Sequence, residues 1–236
     1  MITTIFYDLD GTLLPMDMDV FINGYMKHLC IKAAPLGFES KPLVDAVWQG
    51  TNLMYANDGS KTNEEAFWED FYKVYPDYDQ DFLKEFFEGF YQNEFNNAKD
   101  SVGYNEYALS TVKLAKELGF RQVVATNPLF PKTATKSRLG WAGLSEDMFE
   151  EVTTYENYHY TKPNTKYYEE LLANRGLKAD EVLMVGNDVD EDMVAATIGM
   201  KVFLLTDCII NKKNKSIDEY PHGGYTELME YIKGLR

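Results

Sequence analysis

The chain has 236 residues, of which 45% are hydrophobic, and this is enough to form a sizeable core in one large or two modest domains. Its 23 basic and 38 acidic residues give a net charge of −15, which argues against nucleic acids and membranes as partners. No signal peptide is visible in the sequence, no apolar run approaches the roughly 20 residues of a membrane span, and the two distant cysteines form no disulfide framework, so we expect a cytoplasmic protein.

The first predicted element is a strand over residues 3–8 that ends in two carboxylates. Its apolar and β-branched residues are typical of a buried strand, and Asp8 and Asp10 stand one residue apart at its end, with Gly11 next. Open α/β sheets bind their ligands at the carboxyl ends of such strands. Asp-Gly pairs also occur in ordinary turns, but this position favours chemistry, with one carboxylate for attack and the other for proton transfer.

Residues 20 to 98 have helical character and are rich in aromatic and acidic residues. Two segments, 64–72 and 82–90, repeat aromatic residues at the i, i+3 and i+4 spacing of an amphipathic helix. The aromatic residues on these two faces are Phe67, Trp68, Phe71, Tyr72, Phe82, Phe86, Phe87 and Phe90. The pattern predicts a small helical domain with these residues in its core, and a substrate-binding face is the alternative.

From about residue 104, predicted strands alternate with predicted helices. The helices cover residues 107–118, 132–139, 165–174, 190–198 and 226–235, and the strands cover 121–126, 150–154, 182–185 and 202–205. This alternation predicts an α/β fold, a Rossmann-like parallel sheet with helices on both faces, to which the first strand also belongs. We expect a core domain of residues 1–15 and 100–236, with residues 16–99 inserted as an all-α domain.

Polar residues also mark the ends of two later strands and the start of one helix. Thr126 and Asn127 follow a strand, where a hydroxyl and main-chain N–H groups can hold an anionic oxygen. Lys162 precedes a helix and can place an ammonium beside a phosphate. Carboxylates crowd after the strand at 182–185, and they belong to Asp188, Asp190, Glu191 and Asp192. Oxygen ligands without histidine or cysteine indicate Mg²⁺ rather than zinc as the cation that would relieve their repulsion.

Taken in order, four motifs resemble those of the haloacid dehalogenase-like superfamily of hydrolases. The motifs are Asp8-Leu9-Asp10-Gly11-Thr12, then Thr126, then Lys162, then Gly186-Asn187-Asp188 with Asp192. The resemblance covers about residues 1–15 and 100–210. The helical insertion stands where this family carries a cap domain of the C1 type.

This resemblance implies a Mg²⁺-dependent phosphatase. Asp8 would attack phosphorus to form an aspartyl-phosphate, and Asp10 would protonate the leaving oxygen and then activate water. Thr126 and Asn127 would bind phosphoryl oxygens together with Lys162, which also offsets the charge on Asp8. The substrate would be a small phosphorylated metabolite, either a sugar phosphate or a nucleotide.

The metal ligands implied by the resemblance include one departure from the family pattern. Mg²⁺ would be held by Asp8, by the main-chain carbonyl of Asp10 and by a carboxylate of the fourth motif. Many members have Asp directly after the glycine of that motif, where this chain has Asn187. Asp188 is the favoured ligand, and the side-chain carbonyl of Asn187 is the alternative. Asp192 would then act through water or from outside the first ligand shell.

The same resemblance separates several activities. Dehalogenases lack an acid two residues after the nucleophile because a halide leaves without a proton, so Asp10 favours phosphate esters. A phosphosugar mutase or another phosphotransferase shares the four motifs and stays open as an alternative. A non-catalytic binding module would have lost motif residues, and all of them are intact. The oligomeric state stays open.

Substrate choice would depend on residues of the insertion. Met16, Met18 and Tyr25 follow the nucleophile loop closely and are candidates to face the site. Trp48 and His28 are assigned to the core of the insertion, with a place in the site as the alternative.

Overall fold

The computed structural model describes residues 1–236 and contains one six-stranded sheet. Its strands are β1 (Thr4–Tyr7), β2 (Arg121–Val124), β3 (Glu151–Val152), β4 (Val182–Gly186), β5 (Lys201–Leu205) and β6 (His222–Gly223). They lie in the order β3-β2-β1-β4-β5-β6, and every neighbouring pair is parallel. Parallel neighbours need long crossover connections, and all of these contain helical segments except the one between β5 and β6, which is a loop. The predicted α/β fold with a parallel sheet is confirmed.

Strand β1 lies between β2 and β4, and helices cover the sheet on both faces. All four residues of β1 are buried, and so are all five of β4. A strand buried on both faces needs apolar residues at successive positions rather than at alternate ones, which explains the unbroken apolar run before Asp8. The last residue of β1, Tyr7, pairs with Val124 of β2 and Val185 of β4. Whatever follows these three strands therefore lies at one edge of the sheet.

Four α-helices, a 3₁₀ helix and the short 3₁₀ turn Ala34–Leu36 form the insertion between β1 and β2. The α-helices, called the cap helices below, are α1 (Met18–Ala33), α2 (Ser40–Tyr55), α3 (Asn63–Val74) and α4 (Gln80–Gln92), and the 3₁₀ helix is Glu94–Ser101. Side chains of Asp17, Thr62 and Asp79 accept main-chain N–H groups at the starts of α1, α3 and α4, as helix N-caps do. The predicted helical character of this region is confirmed.

The insertion leaves the sheet and returns to it at one place. The main-chain N–H of Gly103 donates to the carbonyl of Pro15 at 2.7 Å, and Met16 pairs with Val102 in an antiparallel bridge. One apolar cluster of 44 buried residues extends from the sheet into the cap helices. Because the packing is continuous, the division into domains at residues 16 and 99 stays a prediction.

The remaining α-helices lie close to their predicted positions. They are α5 (Glu106–Glu117), α6 (Lys132–Trp141), α7 (Thr165–Arg175) and α8 (Tyr225–Lys233), and further 3₁₀ turns are Ala34–Leu36, Glu146–Met148 and Ala179–Glu181. The helix predicted over 190–198 is instead a turn followed by the 3₁₀ helix Met193–Ile198. Oδ1 of Asp188 accepts the N–H groups of Asp190 and Glu191, so this side chain holds residues 188–191 in a turn. None of the helices is long and apolar enough to span a membrane.

The predicted aromatic core of the insertion is largely confirmed, with two exceptions. Most of the aromatic residues on the predicted faces of α3 and α4 are buried, but Tyr72 is only half-buried and Phe82 is 39% exposed. Phe82 stands in the first turn of α4 and stacks on Tyr78 at the surface. Trp48, which was predicted to belong to the core, is 44% exposed.

Candidate active site

The residues that follow the central strands meet at one edge of the sheet. The main-chain N–H of Asp8 donates to the carbonyl of Val185 at 2.9 Å, and that of Ala125 donates to the carbonyl of Tyr7 at 2.7 Å. These bonds carry the parallel pairing past the ends of β1, β2 and β4. Asp8 and Thr126 therefore both reach the same cavity.

The ammonium of Lys162 is buried between two carboxylates. Its Nζ lies 2.8 Å from Oδ1 of Asp8 and 2.7 Å from Oδ1 of Asp192, and all three side chains are buried. Burial alone would lower the pKa of Lys162, but the charges of Asp192 and Asp8 outweigh it and raise that pKa well above its ordinary value. A lysine that stays protonated beside Asp8 offsets the charge of this carboxylate, so that an anionic group can approach it.

Asp192 has a partner for each of its oxygens within the protein. Oδ1 contacts Lys162, and Oδ2 accepts the main-chain N–H of Asp188 at 3.0 Å. Burial raises the pKa of Asp192, and the ammonium of Lys162 opposes this shift. A Cβ at Gly186 would collide with the Asp192 carboxylate, so the glycine of the fourth motif makes room for it.

Asn127 and two hydroxyl groups hold the loops that carry Thr126 and Lys162. The main-chain N–H of Lys162 donates to Oδ1 of Asn127 at 3.2 Å. The carbonyl of Thr126 accepts the hydroxyl groups of Thr153 at 2.6 Å and Tyr167 at 2.9 Å. The side chain of Asn127 thus aligns two loops, and its contact with a phosphate stays a prediction.

Asp10 forms an ion pair that the sequence did not reveal. Its Oδ2 contacts the guanidinium of Arg138, which is fully buried on α6 and also donates to the hydroxyl of Thr135 at 3.1 Å. The guanidinium carbon lies 4.4 Å from the centre of the Phe130 ring. Burial raises the pKa of Asp10, and the charge of Asp8 adds to this shift while Arg138 opposes it. A raised pKa suits a carboxyl that must carry a proton before it donates one.

The two candidate ligands of the fourth motif have different environments. Oδ1 of Asn187 accepts the hydroxyl of Thr12 at 3.0 Å, and its Nδ2 donates to the carbonyl of Cys208 at 2.7 Å. Gly11 has a φ of +88°, and a Cβ there would collide with the Asn187 amide. Asn187 therefore joins the loop that follows Asp8 to the loop at Cys208. Asp188 is half-buried and lines the cavity, where one of its oxygens accepts two main-chain N–H groups.

The donors at this edge suit Mg²⁺ with few protein ligands. No group of three or more histidine, cysteine or acidic side chains lies close enough together to hold a metal ion. Magnesium usually keeps several waters and is held through one or two carboxylates together with substrate phosphate. Asp8 and Asp188 are two such carboxylates at the cavity, and the main chain of Asp10 offers a carbonyl. The donor set, all oxygen, therefore fits the predicted ion, with the ligand assignment still a prediction.

Glu191 is a second residue whose place sequence reasoning missed. Its Oε2 accepts the Nδ2 of Asn127 at 3.1 Å, and the side chain lines the cavity. Burial raises the pKa of Glu191 to about 8, and the charges of Asp192 and Asp188 add to the shift. In the sequence Glu191 is one of four neighbouring acids, and no local pattern shows which of them faces the cavity. The turn at Asp188 determines this in the structure.

The predicted site residues open into a cavity of about 1010 Å³ between the sheet edge and the cap helices. Its lining includes Asp8, Asp10, Thr126, Asn127, Asn187, Asp188 and Asp192 from the predicted site, whereas Lys162 lies outside the lining and contacts Asp8 and Asp192. The insertion contributes Met16, Met18 and Tyr25, as predicted, and Trp48 in place of its predicted core position. His28 is half-buried and lies outside the lining.

A parallel sheet with a nucleophile-like carboxylate after its central strand, a buried lysine and an inserted set of cap helices defines a class of hydrolases. The family model described as haloacid dehalogenase-like hydrolase matches residues 2–197, and the chain belongs to this family. A glyceraldehyde 3-phosphate phosphatase of Methanocaldococcus jannaschii is 29% identical over 136 residues, which are 55% of this chain and 57% of that protein. A protein of the same name from Methanothermobacter thermautotrophicus is 36% identical over 98 residues, or 41% of this chain and 42% of its own length. The chain thus spans about half the length of the curated relatives it matches.

Solved structures share the fold over the whole chain. A 2-haloacid dehalogenase from Pseudomonas syringae pv. tomato superposes with a TM-score of 0.64 at 18% identity and covers 100% of both chains. The HAD-hydrolase YfnB from Bacillus subtilis, described as putative and bound to magnesium, gives a TM-score of 0.57 at 15% identity and covers 98% of each chain. At such identities the likeness concerns the fold alone.

Proposed function

We propose that the protein is a Mg²⁺-dependent phosphatase that hydrolyses a small phosphorylated metabolite through an aspartyl-phosphate intermediate. One observation carries the proposal: the buried Lys162 contacts Asp8 at the floor of a cavity that Asp10 also lines. The partial relatives named as phosphatases of glyceraldehyde 3-phosphate support a small phosphorylated substrate. A cytoplasmic location belongs to the same proposal.

In the first step, a carboxylate oxygen of Asp8 forms a bond to phosphorus as the bond from phosphorus to the alcohol oxygen breaks. Asp10 gives its proton to the departing alcohol oxygen, and Arg138 holds the Asp10 carboxyl in the site. The ammonium of Lys162 offsets the negative charge of the phosphoryl oxygens, and the hydroxyl of Thr126 donates a hydrogen bond to one of them. The products are a free alcohol and phosphorylated Asp8.

In the second step, water attacks the phosphorus of the aspartyl-phosphate. Asp10, now a carboxylate, takes the proton from this water, and the bond between phosphorus and the Asp8 oxygen breaks. Phosphate leaves, and both carboxyl groups return to their starting forms. Asp8, Asp188 and the main-chain carbonyl of Asp10 would hold Mg²⁺, which when bound supplies positive charge to the phosphoryl group.

Asp10 supports phosphate ester chemistry over dehalogenation. A halide leaves without a proton, whereas an alkoxide needs one, and here a carboxyl with a raised pKa lines the cavity beside Asp8. The dehalogenase among the structural neighbours shares the fold and does not decide between these reactions.

The test is a turnover assay with Mg²⁺ on p-nitrophenyl phosphate, glyceraldehyde 3-phosphate, hexose phosphates and nucleoside monophosphates. We expect free phosphate to be released and Asp8→Asn to abolish the release. Asp190→Asn is the matched control, because Asp190 stands in the same acidic segment but pairs with Lys213 and Lys215 outside the cavity. No release from any ester, or full activity of Asp8→Asn, would refute the proposal, and an isomerised phosphosugar without free phosphate would assign a mutase instead.

A further inference from the structure

The cavity is lined by many more aromatic side chains, called the aromatic wall below, than the hydrolysis of a phosphate ester at Asp8 requires. Nine aromatic side chains line it, and they are Tyr25, Trp48, Tyr55, Phe67, Trp68, Phe87, Tyr91, Phe130 and Tyr155. Three methionines, Met16, Met18 and Met26, join them. Aromatic and methionine side chains offer polarisable contact to flat apolar groups.

The charged residues of the lining are almost all acidic. They are Asp8, Asp10, Asp17, Asp19, Asp188, Glu191 and Asp192, and Lys212 is the single basic residue among them. A second phosphate or a carboxylate on the alcohol part of a substrate would meet carboxylates without a facing arginine. Because Asp8, Asp10, Asp188 and Asp192 belong to the phosphate end of the cavity, the alcohol meets Asp17, Asp19 and Glu191, and this part of the lining favours an alcohol that carries no further negative charge.

One face of α2 extends this aromatic wall towards solvent. Trp48, Thr51 and Tyr55 all line the cavity, and their spacing of three and four residues places them on one side of the helix. Trp48 and Tyr55 are each 44% exposed, so burial in the core does not account for them. Tyr55 lines the same cavity as Asp188 and Glu191, which places this end of the helix beside the reaction centre, and partial burial together with their charges raises the pKa of Tyr55.

The volume of the cavity also exceeds the needs of a small alcohol. At about 1010 Å³ it stands at the upper end of the roughly 300–1,000 Å³ of pockets that enclose drug-sized ligands. A three-carbon sugar phosphate would leave most of the aromatic wall in contact with water.

We propose that the preferred substrate is a phosphomonoester of a large uncharged alcohol that carries a planar aromatic ring, as a nucleoside 5′-monophosphate does. The ring stacks on the aromatic wall, with Trp48 as its outer platform, while the phosphate lies at Asp8. This inference rests on the proposed phosphatase activity and adds the chemistry of the alcohol.

The first test compares kcat/KM for nucleoside 5′-monophosphates, glyceraldehyde 3-phosphate and nucleoside 3′,5′-bisphosphates. We expect the nucleoside monophosphates to exceed glyceraldehyde 3-phosphate at least about tenfold, the range that stacking on one aromatic side chain provides. We expect the bisphosphates to be poorer than the monophosphates because of their second anionic group. A preference for glyceraldehyde 3-phosphate or for a bisphosphate would overturn the inference.

Trp48→Ala tests the platform directly. KM for a nucleoside monophosphate should rise about tenfold, and KM for glyceraldehyde 3-phosphate much less, because only the ring loses a stacking partner. Phe82→Ala is the matched control, since Phe82 is similarly exposed on a cap helix but lies outside the cavity. Equal effects of Trp48→Ala on both substrates would contradict a stacking role.

Binding of the free nucleoside separates this inference from the proposed activity. The nucleoside lacks a phosphate, so its affinity by calorimetry depends on the aromatic wall and not on catalysis. If the nucleoside binds and Trp48→Ala weakens that binding, the inference is supported even when no phosphate ester is turned over. The absence of turnover would then refute the phosphatase proposal alone. Turnover of sugar phosphates with no nucleoside binding would refute the inference and leave the phosphatase proposal intact.

Discussion

At the scale of single residues, Asn187 and Asp188 of the fourth motif make different contacts, which favour different roles for them. Both hydrogen-bonding ends of the Asn187 side chain are taken, by the hydroxyl of Thr12 and the carbonyl of Cys208. Both residues line the cavity, but Asp188 uses only one carboxylate oxygen in hydrogen bonds to the main chain. The contacts thus favour Asp188 as the ligand and give Asn187 the task of joining two loops.

The first prediction follows from this division. Asp188→Ala should weaken Mg²⁺ binding, measured by calorimetry, at least about tenfold, since removal of even an outer partner costs that much in metal sites. Asn187→Ala should keep its Mg²⁺ affinity within a fewfold of the wild type. It should instead lose about 1–3 kcal/mol of unfolding free energy in urea, because the buried hydroxyl of Thr12 and the half-buried carbonyl of Cys208 lose their hydrogen bonds. The reverse pattern would make Asn187 the ligand.

The second prediction concerns the buried pair of Arg138 and Asp10. Arg138→Lys keeps the charge but loses the planar contact with the carboxylate and with the ring of Phe130. We expect kcat/KM for an alkyl phosphate to fall about tenfold. This is part of the rate enhancement of roughly 10²–10⁴-fold that a correctly positioned general acid provides. For p-nitrophenyl phosphate the fall should be small, because nitrophenolate leaves without a proton.

A structural defect alone would give a different pattern for this variant. Thr135→Ala removes the second hydrogen bond of Arg138 without touching Asp10, so it serves as the control for loosened packing. Equal losses on both substrates in Arg138→Lys, matched by Thr135→Ala, would show that Arg138 acts only through the stability of α6.

The site residues differ in how visible they are in the sequence. Asp8 and Asp10 could be predicted because they end an apolar run of a buried strand, where polar residues have no packing reason to stand. Lys162 was placed by its order among the motifs. Arg138 could not be found, since a basic residue on a helix normally faces solvent and only the fold sets it against a carboxylate 128 positions earlier. No local pattern encodes such a long-range pair.

At the scale of elements, the start of α3 joins the cap helices to two loops of the sheet. The buried Nδ2 of Asn63 donates to the carbonyls of Pro128 at 3.2 Å and Tyr160 at 3.4 Å. The main-chain N–H of Asn63 also donates to the carbonyl of Tyr158 at 2.8 Å. Pro128 closely follows Thr126, and Tyr160 closely precedes Lys162. The position of the cap helices is thus tied to the loops that carry two predicted site residues.

The third prediction tests this connection with Asn63→Ala. The carbonyls of the buried Pro128 and the half-buried Tyr160 would lose a donor, so the unfolding free energy should fall by about 1–3 kcal/mol and kcat/KM should fall with it. Thr62→Ala is the matched control one residue earlier, where loss of the N-cap costs about 1 kcal/mol but breaks no bond to the sheet loops. If both variants lose the same activity per unit of lost stability, Asn63 has no part in placing the loops.

Elements could be predicted where local signals and tertiary contacts agree. Gly176 follows α7 with a φ of +62°. The predicted end of that helix, at residue 174, lies one residue before the observed end at Arg175. The two-residue strand β6 could not be predicted, because its pairing with β5 depends on a neighbour rather than on a pattern of its own. The predicted helix over 190–198 begins late because the side chain of Asp188 accepts the N–H groups of Asp190 and Glu191 in a turn, and only Met193–Ile198 is helical, as a 3₁₀ helix.

At the scale of the whole molecule, a net charge of −15 opposes the approach of a phosphate dianion. The lining of the cavity repeats this sign, and Lys212 is its single basic residue. Lys162 and a bound cation act only at short range, within the site. Exposed acids on the outer surface, by contrast, act over a distance that dissolved salt controls. The protein therefore combines a long-range repulsion with a short-range attraction for the same group.

The fourth prediction separates these two ranges by ionic strength. The Debye length shortens from about 30 Å at 0.01 M salt to about 8 Å at 0.15 M, which screens the distant acids far more than the buried charges at Asp8. We therefore expect kcat/KM for a phosphate ester to rise severalfold over this range of KCl at saturating Mg²⁺. Binding of the uncharged nucleoside, measured in the same solutions, should change little and serves as the control. A fall of kcat/KM with added salt would mean that the positive charges of the site govern the approach from the start, and that the acidic surface has no part in it.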